Sequence, residues 1–426
     1  MFAPRTLPWP LVALFTAGYL APYLLPTVVG RLDSGLPVTA TQAGAIGSAL
    51  LLSSATAGFL LASGFCRLSP RTLARAGLAL AALGYGGAAL TGTVWAVVAG
   101  AVVGGLGSGT ATAVAATGIA ALGAPSREGG PAGDPHRATT LGLLGVSALA
   151  AAVYLTVPHL GPGHALPLAA IALTAVAVWP LAGRLPAHVP PAHAEPVQRP
   201  AAQAGPRLPH LRSGLLLAAA MPVWSMAQNS LWGVSGRIGL EQAHLSEAAV
   251  GAVFAVGLAA GLLGVVGAGA LGPRLGHALP IGAGTTLIAG CIALSASATG
   301  PASFAAGEIA WNAVYPVVLS YVIGLAASLD PRGRWAVLVG SAASLGTAAG
   351  PLTGSVLSAQ AGFPVMGLVL AVALLVVAVP MTTVALRAAR PLPVVEIAVD
   401  GPPAHRTAYD TAGPRQAMSA PGSANG

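Results

Sequence analysis

Charge is what this 426-residue chain has least of: Asp, Glu, Lys and Arg together make up 7% of it, against roughly 25% in soluble domains. So little charge cannot coat a water-facing exterior, which excludes an ordinary soluble enzyme or binding module. Lysine is absent altogether, and all 19 basic residues are arginines. The formal charge of +8 is spread along the chain instead of gathering in a patch, so no nucleic-acid partner is expected. The two cysteines, Cys66 and Cys291, have neither CxxC nor CxxH spacing. They read as packing residues, without a zinc site or a disulfide. His188, His193, His210 and His405 are scattered in polar stretches and make no metal cluster. HExxH and GxSxG are both missing. Gly105-Leu-Gly107-Ser-Gly109 falls inside an apolar run with no Lys-Ser/Thr after it, so it reads as small-residue helix packing and not a phosphate loop. No catalytic residue, metal or cofactor is expected, and the chain reads as a non-enzyme.

Apolar sequence is abundant, at 55% of residues. Each bilayer crossing needs about 20 of them in a row. The runs fall at 9–31, 40–65, 72–91, 94–122, 138–158, 165–183, 213–235, 246–271, 279–298, 302–327, 335–357 and 363–386, here called spans 1 to 12. If the N-terminus lies in the cytoplasm, the cytoplasmic loops receive Arg5, Arg67, Arg71, Arg75, Arg127, Arg137, Arg184, Arg199, Arg207, Arg212, Arg274, Arg332, Arg334, Arg387, Arg390, Arg406 and Arg415. The outer loops receive only Arg31 and Arg237. The positive-inside rule therefore puts both termini in the cytoplasm of a multi-pass cell-membrane protein. The first apolar stretch is too long for a signal peptide and is followed by eleven others. Residues 184–212, rich in Pro, His and Arg, read as a cytoplasmic linker between an N-terminal six-helix bundle (1–183) and a C-terminal one (213–388). Residues 389–426 read as a disordered cytoplasmic tail.

The halves are related. A gap-free shift of 207 residues places Thr39 on Ser246, Gly44-Ala45 on Gly251-Ala252, and Arg67-Leu68 on Arg274-Leu275. The shared offset points to duplication. Six plus six spans around a long central loop, with this repeat, resembles the major facilitator superfamily of secondary transporters over residues 9–388. That family carries a Gly-x-x-x-Asp-Arg-x-Gly-Arg type motif after its second helix. Here Ala62-Ser-Gly-Phe-Cys66-Arg67-Leu-Ser69-Pro-Arg71 keeps the arginines but has Cys66 for the Asp and Ser69 for the Gly. The second copy, Gly269 to His277, also lacks the Asp. The resemblance implies a gating role for Arg67, Arg71 and Arg274, with a latch that differs from the family's. Gly346-x-x-x-Gly350-Pro351-x-x-Gly354 in span 11 resembles a glycine-proline pattern that the family's antiporters carry in helix 5; close helix packing accounts for it equally well. The implied fold is an all-α polytopic membrane protein, twelve transmembrane helices in two pseudo-symmetric six-helix bundles.

Polar residues inside spans are costly and mark function. Glu308 is the acidic residue well inside one, about 8 Å from the start of span 10 at 1.5 Å per residue. Asn312 and Tyr315 follow on the same helical stripe, with Trp311 beside them. Span 7 has Trp224, Gln228 and Trp232 at four-residue spacing, flanked by Ser225 and Asn229. Span 1 has Tyr19 and Tyr23, with Pro22 and Pro26 able to bend it. In the family, helices 1, 4, 7 and 10 line the central cavity, and three of those four carry aromatic-polar stripes here. Spans 6, 9 and 12 are almost purely apolar, as lipid-facing helices should be.

Tyr19, Tyr23, Trp224, Gln228, Asn229, Trp311, Asn312 and Tyr315 are therefore the candidate substrate-binding residues. The alternative for each is packing or an interhelical hydrogen bond. Glu308 is the candidate proton-coupling residue, since burial at that depth favours a neutral carboxyl; a permanently neutral structural role is its alternative. Arg31 and Asp33, and Arg237 and Glu241, read as exposed outer-rim charges or else as a salt-bridged gate. The expected activity is secondary active transport by alternating access, as a monomer in the lipid bilayer. Proton-coupled efflux (antiport) of a drug-like or natural-product small molecule comes first. Uptake of a small organic nutrient is the second reading, and a transport-inactive membrane sensor or scaffold the third.

Overall fold

The computed structural model describes residues 8–62, 68–123, 133–185, 208–330 and 333–389. Span 1 is two helices, α1 (Trp9–Tyr23) and α2 (Leu25–Gly35), bent by 48°. The bend sits where Pro26, having no N–H, cannot donate to the Pro22 carbonyl one turn back. Spans 2 to 6 are α3 (Ala40–Ala62), α4 (Pro70–Ala89), α5 (Val94–Ala121), α6 (Pro135–Leu160) and α7 (Ala165–Ala182). Spans 7 to 10 are α8 (Leu211–Arg237), α9 (Glu247–Leu271), α10 (Ala278–Ala296) and α11 (Pro301–Ser328). One continuous assignment, α12 (Arg334–Ala388), contains spans 11 and 12. It breaks at Gly362, whose φ of 80° and ψ of 165° are not helical and favour glycine.

There is no strand among the described residues. Eight helices are long and apolar enough to cross a membrane, or nine if the bent pair counts as one span. Dividing α12 at Gly362 adds another crossing. The less apolar α4 and α8 complete the twelve that the apolar runs predict. In α8 the shortfall comes from the polar stripe itself. Leu83, Leu90, Trp95, Leu263 and Val337 are each more than two-thirds exposed. Apolar exposure on this scale belongs against lipid.

Helix starts carry the duplication. Thr39 and Gln42 form a reciprocal capping box before span 2, Gln42 N–H donating to Thr39 Oγ1 (3.3 Å) and Thr39 N–H to Gln42 Oε1 (2.9 Å). At the equivalent place before span 8, Ser246 Oγ accepts from Ala249 N–H at 3.2 Å. Packing between the halves has the same symmetry. Span 2 packs on span 11 and span 5 on span 8, and exchanging the halves turns one of these pairs into the other. The linker residues 186–207, the tail from 390 onwards, Arg67 and Cys66 lie outside the described residues.

Glycine sets the closest approaches. A Cβ at Gly105 or Gly109 of span 4 would collide with the Leu50 or Ser54 carbonyl of span 2, and one at Gly107 with the Gly77 carbonyl of span 3. The Gly105–Gly109 run is thus a packing surface, as its position within an apolar run suggests. In span 11, Gly346 and Gly354 lie against the Pro222 and Ser230 carbonyls of span 7, and Gly350 against Asn229. Close packing is therefore a sufficient reason for that glycine-proline pattern. Overpacking such a contact costs about 1–3 kcal/mol or more. Gly354→Leu should lower the thermal midpoint of the purified protein by several degrees. Gly290→Ala, where a Cβ meets nothing within 4 Å, should leave it level or raise it slightly, since alanine favours helix. Detergent-solubilised protein followed by tryptophan fluorescence reads both.

Candidate functional site

A cavity of about 980 Å³ runs from mid-membrane towards the arginine-rich face, at the large end of small-molecule sites. Its inner end is walled by Phe15, Tyr19 and Tyr23 of span 1, Ser147 of span 5, Asn229 and Trp232 of span 7, and Trp311, Asn312 and Tyr315 of span 10. Leu258 to Gly269 of span 8 form one flank. His136 and Thr139 at the start of α6, His277 just before α10, and Gly324 near the end of α11 form the mouth. Those helix ends all belong to the arginine-rich side. Among the described residues, no Asp, Glu or Arg lines the cavity.

Six of the eight predicted binding residues line this space: Tyr19, Tyr23, Asn229, Trp311, Asn312 and Tyr315. Trp232, from the same stripe, joins them. Trp224 and Gln228 stand behind the wall, fully buried. Trp224 stacks on Tyr315 with centroids 5.5 Å apart and donates Nε1–H to Thr285 Oγ1 at 3.3 Å. Gln228 Oε1 accepts from Trp311 Nε1 at 3.2 Å. These two hold the lining rings in place. Asn229 and Asn312 each donate their amide to a carbonyl one turn back, Ser225 and Glu308, at 2.9 Å. Their own carbonyl oxygens make no hydrogen bond among the described residues.

Span 4 takes no part in the lining, whereas spans 5 and 8 do. This departs from the expected 1, 4, 7, 10 arrangement. The physical reason is the glycine surface that draws span 4 onto spans 2 and 3. Spans 6 and 12, and the body of span 9, stay away from the cavity, as their composition predicts.

The opposite end is closed in two layers. In the first, Trp232 donates Nε1–H to the Pro22 carbonyl at 3.1 Å, the acceptor that Pro26 leaves without its helical donor. This joins span 7 to span 1 across the cavity roof. In the second, Arg31 meets Glu247 at 2.5 Å and Arg237 meets Asp33 at 3.2 Å. Each half supplies an arginine to a carboxylate of the other. Arg31 also donates to the Gly161 carbonyl (2.7 Å) at the end of span 5. Arg237 is also paired with Glu241 at 3.0 Å and lies over the Phe363 ring at 5.3 Å.

Of the two readings of these charges, the salt-bridged one describes Arg31, Asp33 and Arg237, while Glu241 is exposed. Arg31 is only 5% exposed, because the halves close over it. Single-sequence reading missed the partners because Arg31 and Glu247 lie 216 residues apart, and neither carries a spacing that points to the other.

Glu308 is fully buried and does not line the cavity. Ser235 of span 7 and Ser295 of span 9 donate to its Oε1 at 2.8 and 2.6 Å, and its Oε2 has no hydrogen-bond partner among the described residues. Ser235 continues the Gln228 stripe by seven residues and was legible on that ground; nothing in the sequence points to Ser295. Of the expected gating residues, Arg71 donates Nε–H to the Leu185 carbonyl of its own half at 2.8 Å. The Arg274 backbone lies in a short 3-10 turn, Gly272–Leu275.

The fold has known counterparts. A human organic anion transporter, MFSD10, superposes with a TM-score of 0.63 over 89% of this chain and 100% of its own, at 18% identity. The nucleoside transporter NupG gives 0.68 over 89% and 100%, at 14% identity. A POT family transporter in complex with 5-aminolevulinic acid gives 0.71 over 90% and 96%, at 11% identity. The chain has the major facilitator superfamily fold. No protein-family profile matches the sequence, and no curated protein matches it. Within this fold the cavity is open towards one face, and the Trp232–Pro22 contact and the two cross-half ion pairs lie at its other end.

The partly exposed ion pairs of the seal contribute about 1 kcal/mol each at most. Arg31→Gln with Asp33→Asn should therefore raise the fraction open at the sealed face by a factor of up to about thirty. Labelling of Ser147→Cys by a membrane-impermeant thiol reagent from that face, in a Cys66→Ser, Cys291→Ser background, should speed up accordingly. An unchanged rate would show that the pairs do not hold the seal.

Proposed function

We propose that the protein is a secondary active transporter that works by alternating access and couples outward movement of a small organic molecule to inward movement of protons. The observation that carries this reading is a large cavity between two related halves, closed at one end only by contacts that join those halves. In this reading residues 1–183 and 213–388 rock about the cavity, with 184–212 as the connecting linker. The monomer sits in the plasma membrane with both termini in the cytoplasm, so the cavity faces inward.

The lining argues for a particular substrate chemistry. Rings surround the inner end, and two amide oxygens are free to accept hydrogen bonds. A planar, uncharged or weakly basic molecule carrying N–H or O–H donors fits this surface. A strongly anionic one fits less well, because among the described residues no Arg lines the cavity to offset its desolvation. In this respect the site differs from what the name of the organic anion transporter would suggest.

Glu308 is the proposed proton carrier. One proton entering for each substrate leaving makes efflux faster as the outside is acidified and slower as it is made alkaline. Proteoliposomes loaded with a panel of aromatic amines and amides, with internal pH followed by a trapped dye, test this. Substrate-dependent proton movement is expected for at least one compound. Glu308→Gln should abolish the dependence on the pH gradient. Tyr19→Leu should weaken apparent affinity by about three- to tenfold, the worth of one aromatic contact, and leave the pH dependence in place. Proton movement that persists undiminished in Glu308→Gln removes Glu308 from the mechanism. Silence across the whole panel favours a sensor or scaffold.

A further inference from the structure

A second, much smaller space lies on the sealed side. It is a crevice of about 50 Å³ between spans 1, 5, 7 and 8, and its lining includes Thr27, Arg31, Ser34, Tyr154, Gly236 and Glu247. One water needs about 10–15 Å³ of such volume and two to four polar partners, so the crevice has room for a few waters. The Arg31–Glu247 pair stands at its mouth, where Glu247 is 43% exposed. Tyr154 lies at its base, donating its hydroxyl to the Tyr23 carbonyl at the bend of span 1.

The same Tyr154 is within electrostatic range of Glu308. Gly236, another lining residue, follows directly after Ser235, which holds the Glu308 carboxyl. The crevice and Glu308 are thus neighbours. The crevice and the substrate cavity are not joined: Phe254, on the crevice side, packs its ring on Trp232, on the cavity side, with centroids 5.3 Å apart.

The groups around Glu308 are few. From α6 comes Tyr154, from α10 Cys291 and Ser295, and from α8 Ser235. Among the described residues Glu308 makes no salt bridge. A carboxylate there has two hydroxyl donors on one oxygen and none on the other. The second oxygen is where a proton has room to bind.

We propose that Glu308 exchanges its proton with the arginine-poor face through this crevice, at a site walled off from the substrate cavity. This rests on the reading of Glu308 as the proton carrier and adds its route. A hydronium ion in the crevice gives its proton to the Glu308 carboxylate, leaving a neutral carboxyl and a water. Substrate and proton then never compete for the same atoms. Their coupling passes through span 7, where Ser235 holds the carboxyl and Trp232, one turn earlier, roofs the cavity. Neutralising Glu308 weakens the Ser235 bond and so loosens the segment that carries the Trp232–Pro22 contact.

The test fills the crevice and leaves the cavity alone. Gly30 lines the crevice, and a Cβ there meets nothing within 4 Å, so Gly30→Leu has space to fold. Ser34→Cys alkylated with N-cyclohexylmaleimide, in a Cys66→Ser, Cys291→Ser background, fills the same space by chemistry after folding. The readout is the infrared carbonyl band of the protonated carboxyl that Glu308→Gln removes, followed in proteoliposomes after an acid jump on the arginine-poor face. N-phenyl-1-naphthylamine, an uncharged aromatic probe, reports cavity binding by energy transfer from tryptophan. The expected result is a band that grows with acid and grows at least tenfold more slowly in both filled proteins, with probe affinity unchanged. A band that rises as fast in the filled proteins overturns the route and leaves Glu308 as a proton site. Equal loss of probe affinity on filling overturns the separation of the two sites. A Glu308 band that ignores pH sinks the proton reading itself, and the route with it.

Discussion

Much of this molecule depends on two carbonyl groups at a break in one helix. Pro26 has no N–H to offer the Pro22 carbonyl, so span 1 bends there, and the low-dielectric surroundings make an unpaired carbonyl expensive. The donors that reach the break come from other helices: Trp232 to Pro22, and Tyr154 to Tyr23. A soluble protein would have used water. Here the requirement to satisfy backbone groups internally draws spans 1, 5 and 7 together at one level. At that level the cavity ends, the outer crevice begins, and the two halves are joined by a side-chain hydrogen bond. A contact that satisfies a helix carbonyl is also one that joins the two halves.

The cavity's asymmetry follows from a second packing constraint. Span 4 has glycine on its faces towards spans 2 and 3 and is pulled against both; span 11 lies as closely on span 7. With span 4 withdrawn, span 5 provides the remaining N-terminal wall, and span 8, which packs on it from the other half, contributes small residues such as Gly261 and Gly269. The space that remains is wide and ring-lined, and among the described residues no Asp, Glu or Arg lines it. Within such a lining, affinity comes from stacking and from a few amide acceptors, which favours shape-tolerant recognition over a single fixed pose.

Most of the architecture was legible from the sequence because lipid imposes a one-dimensional rule: long apolar runs, with arginines alternating between faces. The polar stripes were legible for the same reason, since amides and rings at four-residue spacing in spans 7 and 10 have no business facing lipid. That reading could not tell a lining residue from one a layer behind. Trp224 and Trp232 share a stripe, yet one is sealed behind Tyr315 and the other roofs the cavity, a distinction set by how neighbouring helices rotate. The charges at the outer face were harder still. Asp33 and Arg237 look like ordinary loop-end charges until the halves meet, because their pairing is a property of the closed conformer and not of any local pattern.

Scarcity of charge also explains how the remaining charges are used. Arg31 meets Glu247 and Asp33 meets Arg237 across the halves, while Arg237 also has Glu241 in its own half, and separating the halves would expose these groups to water. Solvation then replaces the ion pairs, so opening costs far less than breaking a fully buried pair would. Glu308 has no such exchange available, since it makes no salt bridge among the described residues. Its energy changes only by gaining or losing a proton or by gaining access to water. A carboxyl with no salt bridge among the described residues, beside a crevice that ends at a partly exposed ion pair, would have its protonation linked to whether that pair is made. The seal and the acid therefore respond to the same event, although no side chain connects them directly.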